Sequence, residues 1–206
     1  ERVDGGYAVT GTLPWVSNLG DSHHFAIVFS VPGAGDKMVM AVADCAGDGV
    51  KIIANDEFVA LDGTRTFAIQ FRKAFIPDGH VLADPVADYI PRIRAGFILL
   101  QAGMAFGLIG NCIELMEQAG LSLSHVNCHL PEQPAQFRDK LAELEKEVFD
   151  LCATPFEADR DYFIRVIRAR LEAGEASVAA AHAAMLHCGA RGYVRNGAAQ
   201  RRLREA

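Results

Sequence analysis

Over the first eighty or so residues, apolar side chains come in short runs or alternate with polar ones, between turns rich in Gly, Pro and Asp. That period of about two is the pattern of strands with one covered face. It predicts strands near residues 7–10, 25–31, 37–42, 50–53 and 66–71. The last is the clearest. Phe67, Ile69 and Phe71 alternate with Thr66, Ala68, Gln70 and Arg72, so three large apolar side chains fall on one face. Residues 32–36 and 45–49 carry the Gly and Asp of turn segments.

Past Asp84 the period lengthens to that of a helix. Residues 91–119, 134–151 and 157–188 are the predicted helices. For the third, Thr154-Pro155-Phe156-Glu157 reads as a start, with Thr capping, Pro in the first helical position and Glu returning to the cap amide. Gly189 is its predicted stop. Gly96, Gly103, Gly107 and Gly110 remove bulk from the first helix and let another helix or the sheet come close. Strands followed by helices imply the α+β class. The boundary falls near Asp84 and Pro85, giving a β domain over residues 1–85 and a helical domain over residues 86–206. The expected architecture is a partial antiparallel β-barrel followed by an α-helical bundle, with an apolar face left open.

Half of the 206 residues are hydrophobic, enough for a sizeable core. The formal net charge of -6 gives no basic field for nucleic acid or anionic lipid, and neither is expected as a partner. The apolar stretch 96–113 is interrupted by Gln101 and Asn111, which makes it a buried helix rather than a membrane span. Five cysteines without a C-x-x-C pair suit a reducing compartment, so a cytoplasmic protein is expected. The chain opens at Glu1 inside what reads as a turn and strand, the pattern of a piece of a longer protein.

Several motifs are absent: G-x-G-x-x-G after a strand, the P-loop pattern and G-x-S-x-G. His125, Cys128 and His129 lack an evident fourth ligand and read as a polar loop. His23 and His24 read as turn residues, Cys188 beside His187 as a structural thiol, and Arg201, Arg202 and Arg204 as a solvated helix face.

More specific is the run Gly5-Gly6-Tyr7-Ala8-Val9-Thr10-Gly11-Thr12-Leu13-Pro14-Trp15-Val16-Ser17-Asn18. It resembles the β-domain signature of the acyl-CoA dehydrogenase family, a Gly-Tyr strand running into a Trp-Ile-Thr-like triplet. The resemblance implies that Trp15 packs against a flavin ring and that the Ser17 hydroxyl bonds near its reactive nitrogen. A flat indole shields such a ring from water, and a short hydroxyl steadies the charge that hydride arrival creates. Taken without the resemblance, the same two residues also fit a core Trp beside a turn Ser. Residues 59–65, then Phe75-Ile76-Pro77 and Val81-Leu82, are similar to the family's closing strands. Arg94 matches an arginine near the acyl-CoA site. Gly189-Ala190-Arg191-Gly192-Tyr193, with residues 201–206, resembles the family's Gly-Gly-x-Gly-Tyr turn and the Arg-Asp-Ala-like stretch after it. The resemblance thus implies FAD held by Trp15, Ser17, Gly189 and Ala190, an acyl-CoA thioester near Arg94, and a homodimer or homotetramer built through the helical domains.

The chain departs from the family in what it lacks. Removing the proton α to a thioester needs a carboxylate base within reach. One family position for that base lies beside Arg94 and is Ile93 here; the other lies beyond Ala206. Glu205 occupies the family's Asp position and is not a catalyst. No catalytic residue is therefore assigned, and this chain alone is expected to be inactive. The family's Arg-x-x-Phe-Gly is missing near residues 119–125, its glutamine before the turn is Leu186, and Ala190 replaces the second glycine. Three functions remain open. One is α,β-dehydrogenation of an acyl-CoA; another is a flavin-dependent monooxygenase of the same superfamily; the third is a binding or scaffold protein that has lost the cofactor.

Overall fold

A computed structural model describes residues 1–55 and 57–206. The chain divides into two compact units, Glu1–Pro91 and Arg92–Ala206. Among the described residues the strands are β1 (Arg2–Val3), β2 (Gly6–Val16), β3 (His24–Ser30), β4 (Met38–Asp44), β5 (Val50–Ala54), β6 (Phe67–Pro77) and β7 (Val81–Ala83). The helices are α1 (Ile90–Asn127), α2 (Pro134–Leu151), α3 (Arg160–Cys188) and α4 (Ala198–Glu205). The class is α+β, with antiparallel sheets preceding a helical bundle.

The expected partial barrel is replaced by two separate sheets, ordered β1-β2-β6-β5 and β3-β4-β7. Every strand pair is antiparallel. Residues 8–13 of β2 and 27–30 of β3 line opposite sides of a groove of about 500 Å³. With the groove between these edges, no ladder joins the two sheets there among the described residues, and neither sheet closes on itself.

The alternation in residues 66–71 does put Ile69 and Phe71 into the core, and burying Ile69 completely stabilises the fold by roughly 1.5–3 kcal/mol. Further along β6 the phase changes, because Ala74 and Ile76 are the buried residues. The cause is a bulge: Val9 pairs with Ala74 but Gly11 pairs with Phe71, so β6 holds one residue more than β2. Lys73 absorbs it at a φ of 51°, and its N–H donates to Thr10 Oγ1 at 3.1 Å. An inserted residue turns every later side chain to the other face. Val39, Ala41, Ile27 and Leu19 complete this core.

A polar cluster ties the ends of several strands together. Asp84 accepts a hydrogen bond from the Tyr7 hydroxyl at 2.6 Å and pairs with Lys37 Nζ at 2.6 Å. Hydrogen bonds from Lys37 and Tyr7 hold the Asp84 carboxyl below the usual carboxylate range.

The helical core is built mainly of small residues. Ala105, Ala173, Ala180, Ala181, Ala183 and Ala184 are all buried, together with Ile109 and Met116. Small side chains at the contact reduce the distance between helix axes. At Gly96 the close approach is made by the turn after α2 rather than by a helix or the sheet: its amide donates to Pro155 O at 3.1 Å, and a Cβ there would lie 3.3 Å from that oxygen. Gly103, Gly107 and Gly110 have nothing within 4 Å of a Cβ position, so they mediate no close approach in this structure. By length and composition α1 is apolar enough to cross a membrane, and its inner face, including Leu99, Ala102 and Ile109, lies in the helical core.

Two helix boundaries differ from expectation. Helix α1 continues through Gly120 to Asn127, since one glycine inside a helix costs only about 1 kcal/mol. Helix α3 begins after Asp159, whose carboxylate accepts from Tyr162 N at 2.9 Å, rather than at Thr154. Thr154 instead closes a turn, its carbonyl accepting from Glu157 N at 3.0 Å, while the Glu157 carboxylate accepts from Ala158 N and Asp159 N. The far end of α3 is anchored by buried His187, whose Nε2 donates to Glu132 O at 2.8 Å. Asn127 Nδ2 donates to His187 O at 3.0 Å, which ties the end of α1 to the same place.

Candidate functional site

The end of β2 is shaped by Pro14. Proline has no N–H to give to a ladder, and the pairing slips there: Leu13 pairs with Ile69 and Val16 with Phe67, leaving two β2 residues opposite one. Bulges of this kind redirect side chains. Trp15 is accordingly turned outward and 66% exposed, touching Phe58 in a tilted arrangement with ring centroids 5.8 Å apart. Asn55 Nδ2 donates to Pro14 O at 3.2 Å and holds the bulge. The indole is therefore a surface platform, and the alternative of a core tryptophan is excluded.

Ser17 lies just past the strand end, in a chain of hydroxyls. Its Oγ is 2.7 Å from Thr66 Oγ1, which is 2.8 Å from Thr64 Oγ1, which donates to Leu61 O at 2.8 Å. The carbonyl at the end fixes the direction. Thr64 spends its proton on Leu61, so Thr66 donates to Thr64 and Ser17 donates to Thr66. Ser17 then presents lone pairs outward, as an acceptor rather than the expected donor. The turn after it is secured by Asn18 at a φ of 60°, with Asn18 N donating to Thr64 O at 2.8 Å and the His23 Nδ1 hydrogen donated to Asn18 O at 2.9 Å. Thr64, Thr66 and Phe58 were not singled out in the sequence. Phe58 lies 43 residues from Trp15 and Thr66 lies 49 residues from Ser17, and nothing local marks them.

In the helical unit, the Arg94 guanidinium lies 3.7 Å above the Phe163 ring, and its buried Nε has no partner among the described residues. A guanidinium stacked in this way keeps its edge for an anionic or carbonyl acceptor. Gly189 ends α3 at a φ of 55°, with its amide donating to Leu186 O, and Ala190 is exposed beside it. The Gly189 donor is thus already used within the chain. Phe163 and Gly189 stand near opposite ends of α3, about 39 Å apart at 1.5 Å per residue. Within one chain, Arg94 and the Gly189-Ala190 turn are not brought together.

Other candidates resolve simply. Glu205 is engaged by Arg201 Nε at 2.9 Å and by Arg202. Cys188 is half-buried, and burial pushes its thiol up, the opposite of activation. Cys128 Sγ donates to His125 O at 3.6 Å, a turn at the end of α1. All five cysteines are free.

No family model and no curated protein matches the chain. Solved structures do. An acyl-CoA dehydrogenase from Geobacillus kaustophilus superposes with a TM-score of 0.82 at 16% identity, over 99% of this chain and 57% of that one. Butyryl-CoA dehydrogenase from Megasphaera elsdenii gives 0.74 at 12% identity, over 100% and 56%. Dibenzothiophene monooxygenase from Paenibacillus sp. A11-2 gives 0.78 at 15%, over 99% and 60%. The chain spans little more than half the length of these proteins. Two antiparallel sheets leading into a long-helix bundle, matched along the whole chain, give this protein the fold of the acyl-CoA dehydrogenases and of the monooxygenase that shares it.

Proposed function

We propose that this chain is part of a flavin-binding oxidoreductase of the acyl-CoA dehydrogenase type, with Trp15 and Ser17 against the flavin. The observation that carries the reading is the outward Trp15 beside the Ser17 hydroxyl, on the fold those enzymes share. The residues fit a flat, partly polar ring. The indole offers a face for stacking, and Ser17 offers an acceptor to a ring N–H, or a donor once it releases Thr66. A bound flavin, FAD in the reading favoured here, supplies two-electron chemistry. Arg94 holds the acyl-CoA through its unsatisfied edge. Gly189 and Ala190 flank the cofactor's far end, and assembly into a dimer or tetramer completes the site. The free cysteines support a cytoplasmic setting.

A monooxygenase reading has its own support. Position 93 holds Ile rather than a carboxylate, and oxygen chemistry on a flavin needs no base there. A scaffold that has lost the cofactor is favoured by the Gly189 amide being tied to Leu186 O.

Trp15 is the only tryptophan, so its fluorescence reports directly on the site. Titrating the chain with FAD, and separately with FMN, is expected to quench that emission in a saturable way. Emission that stays constant up to high micromolar concentrations of both, with a protein that remains colourless after dialysis, removes the flavin reading and leaves the scaffold.

A further inference from the structure

We infer that Thr66 is a positioning residue: it takes the Ser17 proton, fixes Ser17 as a hydrogen-bond acceptor and so biases the site toward the reduced form of the flavin ring. The inference rests on the flavin reading above and concerns which redox form the site holds more tightly. A hydroxyl has one proton and two lone pairs, and beside a ligand it ordinarily rotates to suit its partner. Here the rotation is spent within the chain. Thr64 Oγ1 donates to Leu61 O at 2.8 Å, so it accepts from Thr66 Oγ1, 2.8 Å away, and Thr66 in turn accepts from Ser17 Oγ at 2.7 Å.

The backbone on both sides of this hydroxyl chain is tied together. Asn18 N donates to Thr64 O at 2.8 Å and Leu19 N to Arg65 O at 3.3 Å, while Arg65 Nε donates to Leu19 O at 2.8 Å. Leu19 itself is buried in the β core. The residues after Ser17 and the segment carrying the two threonines therefore form one clamp, and the direction of the hydroxyl protons is built into it.

The chemistry of the ligand gives that direction a consequence. Most polar positions on the edge of an oxidised isoalloxazine are acceptors, which repel the lone pairs of a fixed acceptor. Uptake of two electrons and a proton turns a ring nitrogen into an N–H donor, and a fixed acceptor then gains a hydrogen bond. A ring stacked on the exposed Trp15 keeps water from Ser17, which makes the gain larger. A hydroxyl free to donate favours the oxidised ring instead.

Trp15, the only tryptophan, reports the binding of either form. Titrations without oxygen, using oxidised and photoreduced FAD and FMN, are expected to show the reduced forms bound about tenfold more tightly, the worth of one hydrogen bond. Thr66→Val keeps the side-chain shape, frees the Ser17 proton and is expected to bring the two affinities together, whereas Thr66→Ser retains the hydroxyl and the preference. Thr64→Val, at an exposed position, leaves Thr66 free to donate to Ser17 and is expected to lower the ratio without removing the Ser17–Thr66 contact. Equal affinities in the unaltered chain, a preference for the oxidised ring, a ratio that neither valine variant lowers, or one that Thr66→Ser also loses each overturns the inference and leaves the flavin reading in place. Binding of neither form removes both.

Discussion

Ile69 and Val39 in the β unit and Ala173, Ala180 and Ala184 in the helical unit are equally sealed from water, yet they seal it by different means. In the sheets, branched and aromatic side chains span the gap between the strands' covered faces. In the bundle, methyl groups let helix backbones approach, and larger apolar residues such as Phe97, Leu100, Met104 and Leu171 stay outside. Each strategy has its own weakness. A core of large side chains loses most when one is cut back, whereas a core of alanines loses most when one is enlarged. The outward residues differ too: the β unit exposes an indole beside a hydroxyl chain, and the helical unit exposes stripes suited to other helices.

The largest effect is expected from Ile69→Ala, which removes several methyl groups from a filled core and costs about 2–5 kcal/mol. It appears as an early urea transition in Trp15 fluorescence, which follows the β unit, ahead of the ellipticity at 222 nm that follows the helices. The converse change, Ala180→Leu, overpacks the bundle and costs about 1–3 kcal/mol, with the ellipticity transition moving first. An equal shift of both probes in either variant would show the two units unfolding as one.

Smaller changes sharpen the contrast inside the bundle. Gly103→Ala has open space around its new methyl group and is expected to stabilise α1 by about 0.5–1 kcal/mol through helix propensity. Gly96→Ala meets Pro155 O at 3.3 Å and is expected to gain nothing in thermal melts run beside it.

Acid is expected to act on the β unit. Asp84 has its carboxyl pKa lowered on folding by Lys37 and Tyr7, so its contribution is complete above the unfolded value of about 3.9 and is lost as pH falls through the folded one. The Trp15-detected melting temperature should drop below about pH 4, and Asp84→Asn should flatten that drop. The smallest stability effect belongs to Trp15→Phe, within about 0.5 kcal/mol because the side chain is largely exposed. Flavin binding, followed by the ligand's own emission, is nonetheless expected to weaken in that variant.

Most elements were legible in the amino-acid pattern because periodicity is local. Residues 25–31 and 50–53 anticipated β3 and β5, and residues 134–151 match α2 as observed. What escaped were features of pairing. The bulge at Lys73 exists only because β2 offers Gly11 to Phe71, and no rule confined to β6 reveals it. The start of α3 was misplaced because Thr154 and Asp159 both suit a cap; the turn that follows α2, with Pro155 O bonded to Gly96 N, uses the first and leaves the second.

The sequence alone determined the α+β order and the shift from strand to helix, because each depends on neighbours a few positions away, while Trp15 and Ser17 stood out only through the family resemblance of residues 5–18. Only the tertiary structure decided that the indole faces outward, that the sheets stay apart, and that the Ser17 proton is given to Thr66. Those outcomes depend on the register of strands dozens of residues apart, and register is set by what the whole core will bury.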